Sequence, residues 1–442
     1  MSCLKYIFLF LFVSIQLAVD ACTIVAVSGK ATIDGRPLLL KNRDSDTWDL
    51  QIKIGQGSKY IYLCQCKVTD GSAYSGYNEA GFSIINSNST NMPNSDQNKN
   101  AYIMQLALER CATIDEFEYL LDSIQKPLSV RSNYGVMDAK GNVAIFEVNA
   151  YNYTKFDAAE TEEGYLIRSN FSFSPISSDA DVPKQNSYNR YKIASSYIEK
   201  LYRVNGFITK EDLFHLTRFL VNSMEDSLYD IAAYDENVYT PVKFTDYIPR
   251  YESTSMMVIQ GVLPDESPKT TVAWTAIGPP VATVVIPYMM TSHQSLPQKA
   301  KMNEEGHAWL CSQGHLLKER CFVDSKTLDL AKLYNLKGTG IMQQIMKIEE
   351  AILDRGKELI EMLRTGEASD NDVELYYAWV DDYLEEQYAQ IGNCFNGNTG
   401  FEAKPYDYDG EMKFYDMLGR PVIVVKPDAL FKKCGNIGII LN

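Results

Sequence analysis

The stretch that most constrains this chain is AVDACTIVAV at residues 18–27, where an apolar leader runs into a strand pattern through a cysteine. Lys5 is the one early positive charge, and Tyr6 to Val19 is apolar except for Ser14 and Gln16. A run of about fourteen residues is shorter than the roughly 20 that a spanning helix needs, and it suits the apolar region of a secretory signal. Val19 and Ala21 are the small residues that such a signal places before a cut, here ahead of Cys22. The expected leader is therefore residues 1–21, with Cys22 first in the mature chain; an uncleaved anchor or a cut a few residues away are the competing readings.

Composition narrows the partners. The chain has 442 residues, 45% hydrophobic and 22% charged, an ordinary globular balance. Its formal net charge of -15 argues against nucleic acid or an anionic membrane surface. No second apolar run is long enough to span a membrane, so no stable insertion is expected after cleavage. Beyond Cys3 in the leader, the cysteines are Cys22, Cys64, Cys66, Cys111, Cys311, Cys321, Cys394 and Cys434. Export permits disulfides, and Cys311 with Cys321 or Cys394 with Cys434 are pairs to test. Cys64 and Cys66 would share one face of a strand. The four histidines, His215, His293, His307 and His315, stand near no CxxC, so neither a metal nor another cofactor is expected.

From Cys22 to about Met290 the pattern is rich in strands. CTIVAV, the turn signal Asp34-Gly35 and PLLLKN read as a hairpin with an extended loop, and YIYLCQC, GFSIINS, NYGVMD and NVAIFEV continue the theme. Helical periodicity marks AYIMQLALERC, DEFEYLLDSI behind Thr113, SYNRYKIASSYIEKLYR and KEDLFHLTRFLV. SSDADVPKQNS at 177–187 reads as a flexible loop. The class is α+β, with a core over 22–297 and a mainly helical extension over 298–442. In that extension 340–363 and 370–390 read as long amphipathic helices whose apolar stripes pack on the core or on a sister subunit.

A terminal cysteine carries its own base. An α-amine ordinarily titrates at about pH 7.7 to 8.0, so it can take the thiol proton without a histidine. Thiolate attack on an amide then needs donors for the oxyanion, and the amine needs an orienting carboxylate. Asp44 lies beside Cys22 if the hairpin loop is about ten residues long; a two-residue turn at Asp34-Gly35 would instead set Thr47 opposite Cys22.

Four motifs occur in order: CTIVAVSGKATIDGRPLLLKNRD, YNEAGFSIINSNS, YLIRSNFSFSP and SYNRY. Together they resemble the N-terminal-nucleophile (Ntn) amidases of the choloylglycine hydrolase and penicillin V acylase type. They also resemble the acyl-coenzyme A:6-aminopenicillanate acyltransferase-like (linear amide C-N hydrolase) proteins. The resemblance covers about 22–290 and implies a four-layer αββα sandwich. It implies Cys22 as nucleophile, Asp44 orienting its amine, Asn86 in the oxyanion hole, Asn170 near nucleophile and substrate, and Arg190 as a bracing cation. Lys41 stands where many relatives carry arginine and keeps the charge without the planar fork. Lys41 and Trp274, in TTVAWTAIGPP, are the substrate-side residues implied. Read without the resemblance, Asn86 is a turn residue, Arg190 a solvated helix residue and Trp274 a core aromatic. Asn88, Asn152 and Asn170 each open a glycosylation sequon.

The function implied is an exported thiol amidase, secreted or periplasmic or lumenal, that cleaves a linear amide of an N-acylated small molecule through an acyl-thioester. Acyl transfer to an amine is the nearest rival. A dipeptidase of the terminal-cysteine kind and a lipoprotein lipidated at Cys22 are the others; Asp20 and the absence of a tether after Cys22 speak against the lipoprotein.

Overall fold

The computed structural model describes residues 21–93, 99–222, 227–228, 237–245, 247–395, 414–415 and 421–422. Residues 1–20 of the expected leader, and Cys434, lie outside the described residues. β1 (Ala21–Val27) and β2 (Leu38–Asp44) are buried along their whole lengths. Continuous burial, rather than alternation, means that both faces of these strands are covered. Their connection spans residues 28–37, with Gly35 at φ 76, so the long-loop reading of the hairpin holds and the tight turn does not.

A meander follows through β3 (Leu50–Gln56), β4 (Ile61–Lys67), β5 (Ala73–Asn78) and β6 (Ser83–Asn88). Helices α1 (Asn100–Arg110) and α2 (Ile114–Ser123) interrupt it, the second capped by Thr113, whose side chain accepts from Glu116 N. Then come β7 (Ser132–Met137), β8 (Val143–Val148), β9 (Tyr153–Asp157) and β10 (Tyr165–Arg168), followed by α3 (Tyr188–Asn205) and α4 (Lys210–Leu216). The short strands β11 (Val221–Asn222), β12 (Ser227–Leu228) and β13 (Pro241–Lys243) precede β14 (Ser253–Gln260), β15 (Val272–Ala276) and β16 (Ile286–Met289).

Two large antiparallel sheets result. One runs β10-β1-β2-β14-β15-β16, and the other takes β3 to β9 in sequence order. They face each other through β1 and β2 against β6 and β7. α1 covers the outer face of the seven-stranded sheet, while α3 and α4 cover that of the six-stranded one. The architecture is the expected αββα sandwich. Under the first helical layer Phe117 sits 5.9 Å from Tyr134 and 5.3 Å from Phe146, ring to ring. Cys64 and Cys66 share this buried face, and the interaction of the two neighbouring thiols lowers the pKa of Cys66 while it raises that of Cys64, with burial adding to the rise.

Beyond the sandwich lie α5 (Trp309–Cys321), β17 (Phe322–Asp324), β18 (Thr327–Asp329), α6 (Leu330–Leu333), α7 (Ile341–Thr365) and α8 (Asp370–Phe395). Cys311 and Cys321 are free thiols at positions in one helix, α5, about 15 Å apart at 1.5 Å per residue. A disulfide needs Cα atoms within about 7 Å, so that pair is ruled out. The apolar stripe of α7 packs on β16, and the Tyr377 hydroxyl of α8 accepts from Met289 N at 2.7 Å.

α4 stops at Leu216, short of the periodicity of KEDLFHLTRFLV, and the chain tightens there into shorter turns, with Arg218 N donating to His215 O at 3.0 Å and Phe219 N to Leu216 O at 3.3 Å. The Arg218 guanidinium donates to Pro280 O at 2.8 Å and to both carboxylate oxygens of Glu349 on α7 at 2.8 and 2.6 Å. Glu349 also accepts from Val285 N at 2.7 Å, so this buried pair ties α7 to the loop before β16. Glu349→Ala would leave the Arg218 charge buried and alone, and is expected to cost about 3–5 kcal/mol, read as a lower midpoint of urea unfolding.

Candidate active site

Strand register sets the geometry around Cys22. β1 pairs with β2 so that Cys22 faces Arg43 and Ala21 faces Asp44. On the other side β1 pairs with β10 through Ile24 and Arg168; continuing that register brings Asn170, just past the strand end, level with Cys22. The third residue of α3, Arg190, reaches the same point from the helical layer. Side chains alternate along a strand, so Thr23, Asn42 and Asp44 share the face toward α3, whereas Cys22, Lys41 and Arg43 share the face toward the second sheet.

Four of the expected residues are gathered here. Cys22 N donates to Asn170 Oδ1 at 2.9 Å. Arg190 Nη1 donates to Cys22 O at 2.9 Å and to Thr23 Oγ1 at 3.2 Å, and its Nη2 donates to Asn170 Oδ1 at 2.5 Å. Asp44, fully buried, forms ion pairs with Arg190 at 3.8 Å and with Arg250 at 3.2 Å. Its other oxygen accepts from Ser253 Oγ at 2.6 Å and Asn42 Nδ2 at 2.9 Å. Burial lowers the pKa of Arg190 to about 10, partly offset by the nearby Asp44 charge, and the guanidinium stays charged at neutral pH. Arg190 is thus a buried brace rather than a solvated residue.

The other expected residues stand elsewhere. Lys41 crosses to the second sheet, where Nζ donates to Tyr74 O at 2.7 Å and to Asn86 Oδ1 at 2.6 Å. Asn86 in turn donates its amide nitrogen to Ser132 Oγ at 3.0 Å. Trp274 is not brought to the group. It lies on β15, paired with Val258, at the level of Val25 and on the face toward α4, where Phe214 is 6.2 Å away and Lys210 lies 5.1 Å from its ring. Of the sequon asparagines, Asn170 is 1% exposed and engaged, which leaves no room for a glycan, while Asn152 is exposed.

Sequence reasoning missed the residues that hold the Asn170 loop. Glu147, fully buried, pairs with Arg168 at 2.6 Å and accepts from Phe173 N at 2.9 Å and Ser174 N at 2.7 Å. Asn133 Nδ2 donates to Phe171 O at 3.0 Å, and Ser87 Oγ to Ser169 O at 2.7 Å. It also missed Arg250 and Ser253 on Asp44, and Arg43 beside Cys22, whose guanidinium stacks 4.2 Å from the Tyr74 ring centroid. Only the strand pairing could have flagged Arg43.

A cavity of about 520 Å³ opens beside the group, lined among others by Ala21, Asn170, Ser187, Tyr188, Arg190 and Arg250. Among the described residues no cluster of three or more His, Cys, Asp or Glu could hold a metal ion, and no helix is long and apolar enough to cross a membrane. Asp44→Asn keeps the shape but removes the counter-charge of the buried Arg190 and leaves Arg250 only Glu252 at 3.7 Å, so about 3 kcal/mol or more of stability should be lost in urea unfolding.

Comparison with known proteins bears out the resemblance read from the motifs. The family model described as acyl-coenzyme A:6-aminopenicillanic acid acyl-transferase matches residues 32–240 and therefore leaves Cys22 outside the match. No curated protein matches. Solved structures that the chain resembles include a variant of conjugated bile acid hydrolase from Clostridium perfringens, at TM-score 0.38 and 12% identity, covering 61% of this chain and 92% of that one. Penicillin V acylase from Agrobacterium tumefaciens matches at TM-score 0.35 and 15% identity, covering 61% of this chain and 87% of that one. An N-acylethanolamine-hydrolyzing acid amidase ortholog from Caenorhabditis elegans matches at TM-score 0.35 and 14% identity, over 55% of this chain and 94% of that one. Likenesses this loose say nothing about chemistry. Residues 32–240, just under half of the chain, are thus similar to the acyl-coenzyme A:6-aminopenicillanic acid acyl-transferase family.

Proposed function

We propose that the protein is an exported N-terminal cysteine amidase acting on linear amides of N-acylated small molecules. The observation that carries this reading is the grip on the backbone of Cys22, whose nitrogen sits on Asn170 Oδ1 and whose carbonyl sits on Arg190. Such a grip suits a residue whose own nitrogen does chemistry. Removal of the chain through Ala21 turns that nitrogen into an amine and, because Ala21 lines the cavity, exposes it to the space where a substrate would sit.

The histidines support the same assignment, because they are engaged elsewhere. His293 pairs with Glu374, His307 with Glu305, and His315 stacks 4.4 Å from Trp48. His215 is buried near Arg218 and Glu349, and burial lowers its pKa. In the proposed reaction the amine takes the thiol proton, the sulfur adds to the amide carbon, and the oxyanion is received by Asn86 Nδ2 once it turns from Ser132, with backbone donors. The C–N bond then breaks as the ammonium returns its proton to the leaving nitrogen. Water cleaves the thioester, with the same amine as base. Arg190 and Asp44 act as positioning residues. Acyl transfer to an amine differs only in the final nucleophile, and no residue here favours it over water.

Two outcomes are expected in amide hydrolysis assays of the mature protein. A variant that retains one residue ahead of Cys22 should fold yet lose about 10²-fold or more in turnover, because an amide nitrogen is not a base. Full activity in that variant would defeat the proposal. Cys22→Ser should also lose most activity, since a hydroxyl yields its proton far less readily than a thiol.

A further inference from the structure

Cys22 and Arg43 stand directly opposite each other in the β1–β2 pairing, so both side chains leave the strands on the face toward the second sheet. Residues opposed in this way have Cβ atoms about 4.5 to 5.5 Å apart. Arg43 is 3% exposed, and neutral groups hold it: Nη1 donates to Thr47 O and to Thr254 Oγ1, each at 2.7 Å, and the guanidinium lies over the Tyr74 ring. Among the described residues no carboxylate forms an ion pair with it.

Tyr74 reaches Arg43 through an irregularity in β5. The β4–β5 register passes from Gln65 opposite Ser75 to Cys66 opposite Ala73, which leaves Tyr74 as the extra residue of a bulge. A bulge re-aims a side chain, and here the ring meets Arg43 and, at 5.7 Å, Lys41 Nζ.

The other charges around Cys22 are committed. Lys41 shares its face, with Nζ on Tyr74 O and Asn86 Oδ1. Arg168 of β10 pairs with Glu147 of β8, and β6 and β7, which meet β1 from the second sheet, carry no charged side chain. On the opposite face Arg190 holds the Cys22 carbonyl and is close enough to feel a charge on Cys22, but Asp44 already pairs with it, and Arg250 and Glu252 complete that cluster. The α3 tyrosines, Tyr188 and Tyr191, face each other, and Tyr191 packs on Phe171 and Phe173. Asp49, beyond β2, acts with Arg43 on the Cys311 thiol, and burial raises its own pKa. Arg43 is thus a buried cation without a paired carboxylate on the thiol's own face. A lone buried charge is costly, and an ionised group opposite it offsets that cost.

We infer that the Cys22 sulfur is the counter-ion of Arg43, so that the mature protein rests with a thiolate at Cys22. The S–H bond breaks, the proton forms an N–H bond on the α-amine, and the ammonium keeps it for the leaving nitrogen; net charge is unchanged. Arg43 acts through the sulfur and is a positioning residue. As a step of catalysis this rests on the amidase reading of Cys22.

The test is the pH dependence of iodoacetamide alkylation at Cys22 in the mature protein, read by mass spectrometry of its peptide. An ordinary thiol gives a midpoint of about 8.5, and an opposed cation lowers it by about one pH unit or more. The midpoint should therefore lie below about 7.5; Arg43→Met should raise it by about one pH unit, and Arg43→Lys, which keeps the charge, by less than half as much. A midpoint in the ordinary thiol range for the unmutated protein would overturn the inference without any variant having to fold, and so would no alkylation at any pH. So would an Arg43→Met profile that changes only in its maximal rate, which is all that a structural role gives. Amide hydrolysis is assayed in parallel. A low midpoint set by Arg43 in a protein that hydrolyses no amide would leave the ion pair standing and remove the amidase reading; hydrolysis by a protein whose Cys22 titrates like a free thiol would do the reverse.

Discussion

One buried guanidinium organises this molecule around Cys22. Arg190 is out of water, and an unpaired charge there would cost several kcal/mol. Its surroundings offset that cost with the Cys22 carbonyl, the Thr23 hydroxyl, the Asn170 side-chain oxygen and the Asp44 carboxylate. These acceptors come from three structural sources: the strand itself, its hairpin partner β2, and the loop after β10. The helix that carries Arg190 can dock only where all of them converge. The electrostatic requirement of one side chain therefore fixes α3 against the sheet and fixes the backbone of Cys22 at the same time.

A second buried charge holds the loop on which this depends. Residues 169–174 leave β10 without strand pairing of their own, yet Asn170 must present one oxygen to both Cys22 N and Arg190. Glu147 does the holding from the opposite sheet, its carboxylate taking Arg168 and two backbone N–H groups of the loop. Asn133 and Ser87 bind the loop carbonyls beside it. The two sheets of the sandwich thus meet at the site through polar contacts as well as through the apolar core. A sandwich without this cross-link would keep its layers and lose the alignment of Asn170.

Much of this was legible in the sequence, for local reasons. Alternation and turn residues exposed the strands, the cap at Thr113 the start of α2, and the ordered motifs the grouping of Cys22, Asp44, Asn170 and Arg190. What was hidden depends on long-range pairing. Arg43 faces Cys22 only because the hairpin loop spans 28–37, and no local signal ranked that register above the tight turn. Arg250 and Ser253 meet Asp44 through the β2–β14 pairing, which joins residues more than half the core apart in sequence. Trp274 illustrates the converse. A tryptophan in a strand beside a Gly-Pro-Pro loop invites a substrate role, but the register turns it toward α4 and Phe214. Asn86 is an intermediate case, placed near the site by its motif yet handed to Lys41 and Ser132 by contacts that no motif encodes.

Trapping the acylated protein tests the central claim most directly. The purified protein is mixed with an amide substrate, quenched in acid during turnover, digested and analysed by mass spectrometry. The account requires a peptide that begins at Cys22 with a free amine and carries the acyl group on its sulfur, released by hydroxylamine. Turnover with the acyl group on any other residue, or with Ala21 still attached to Cys22, would contradict it.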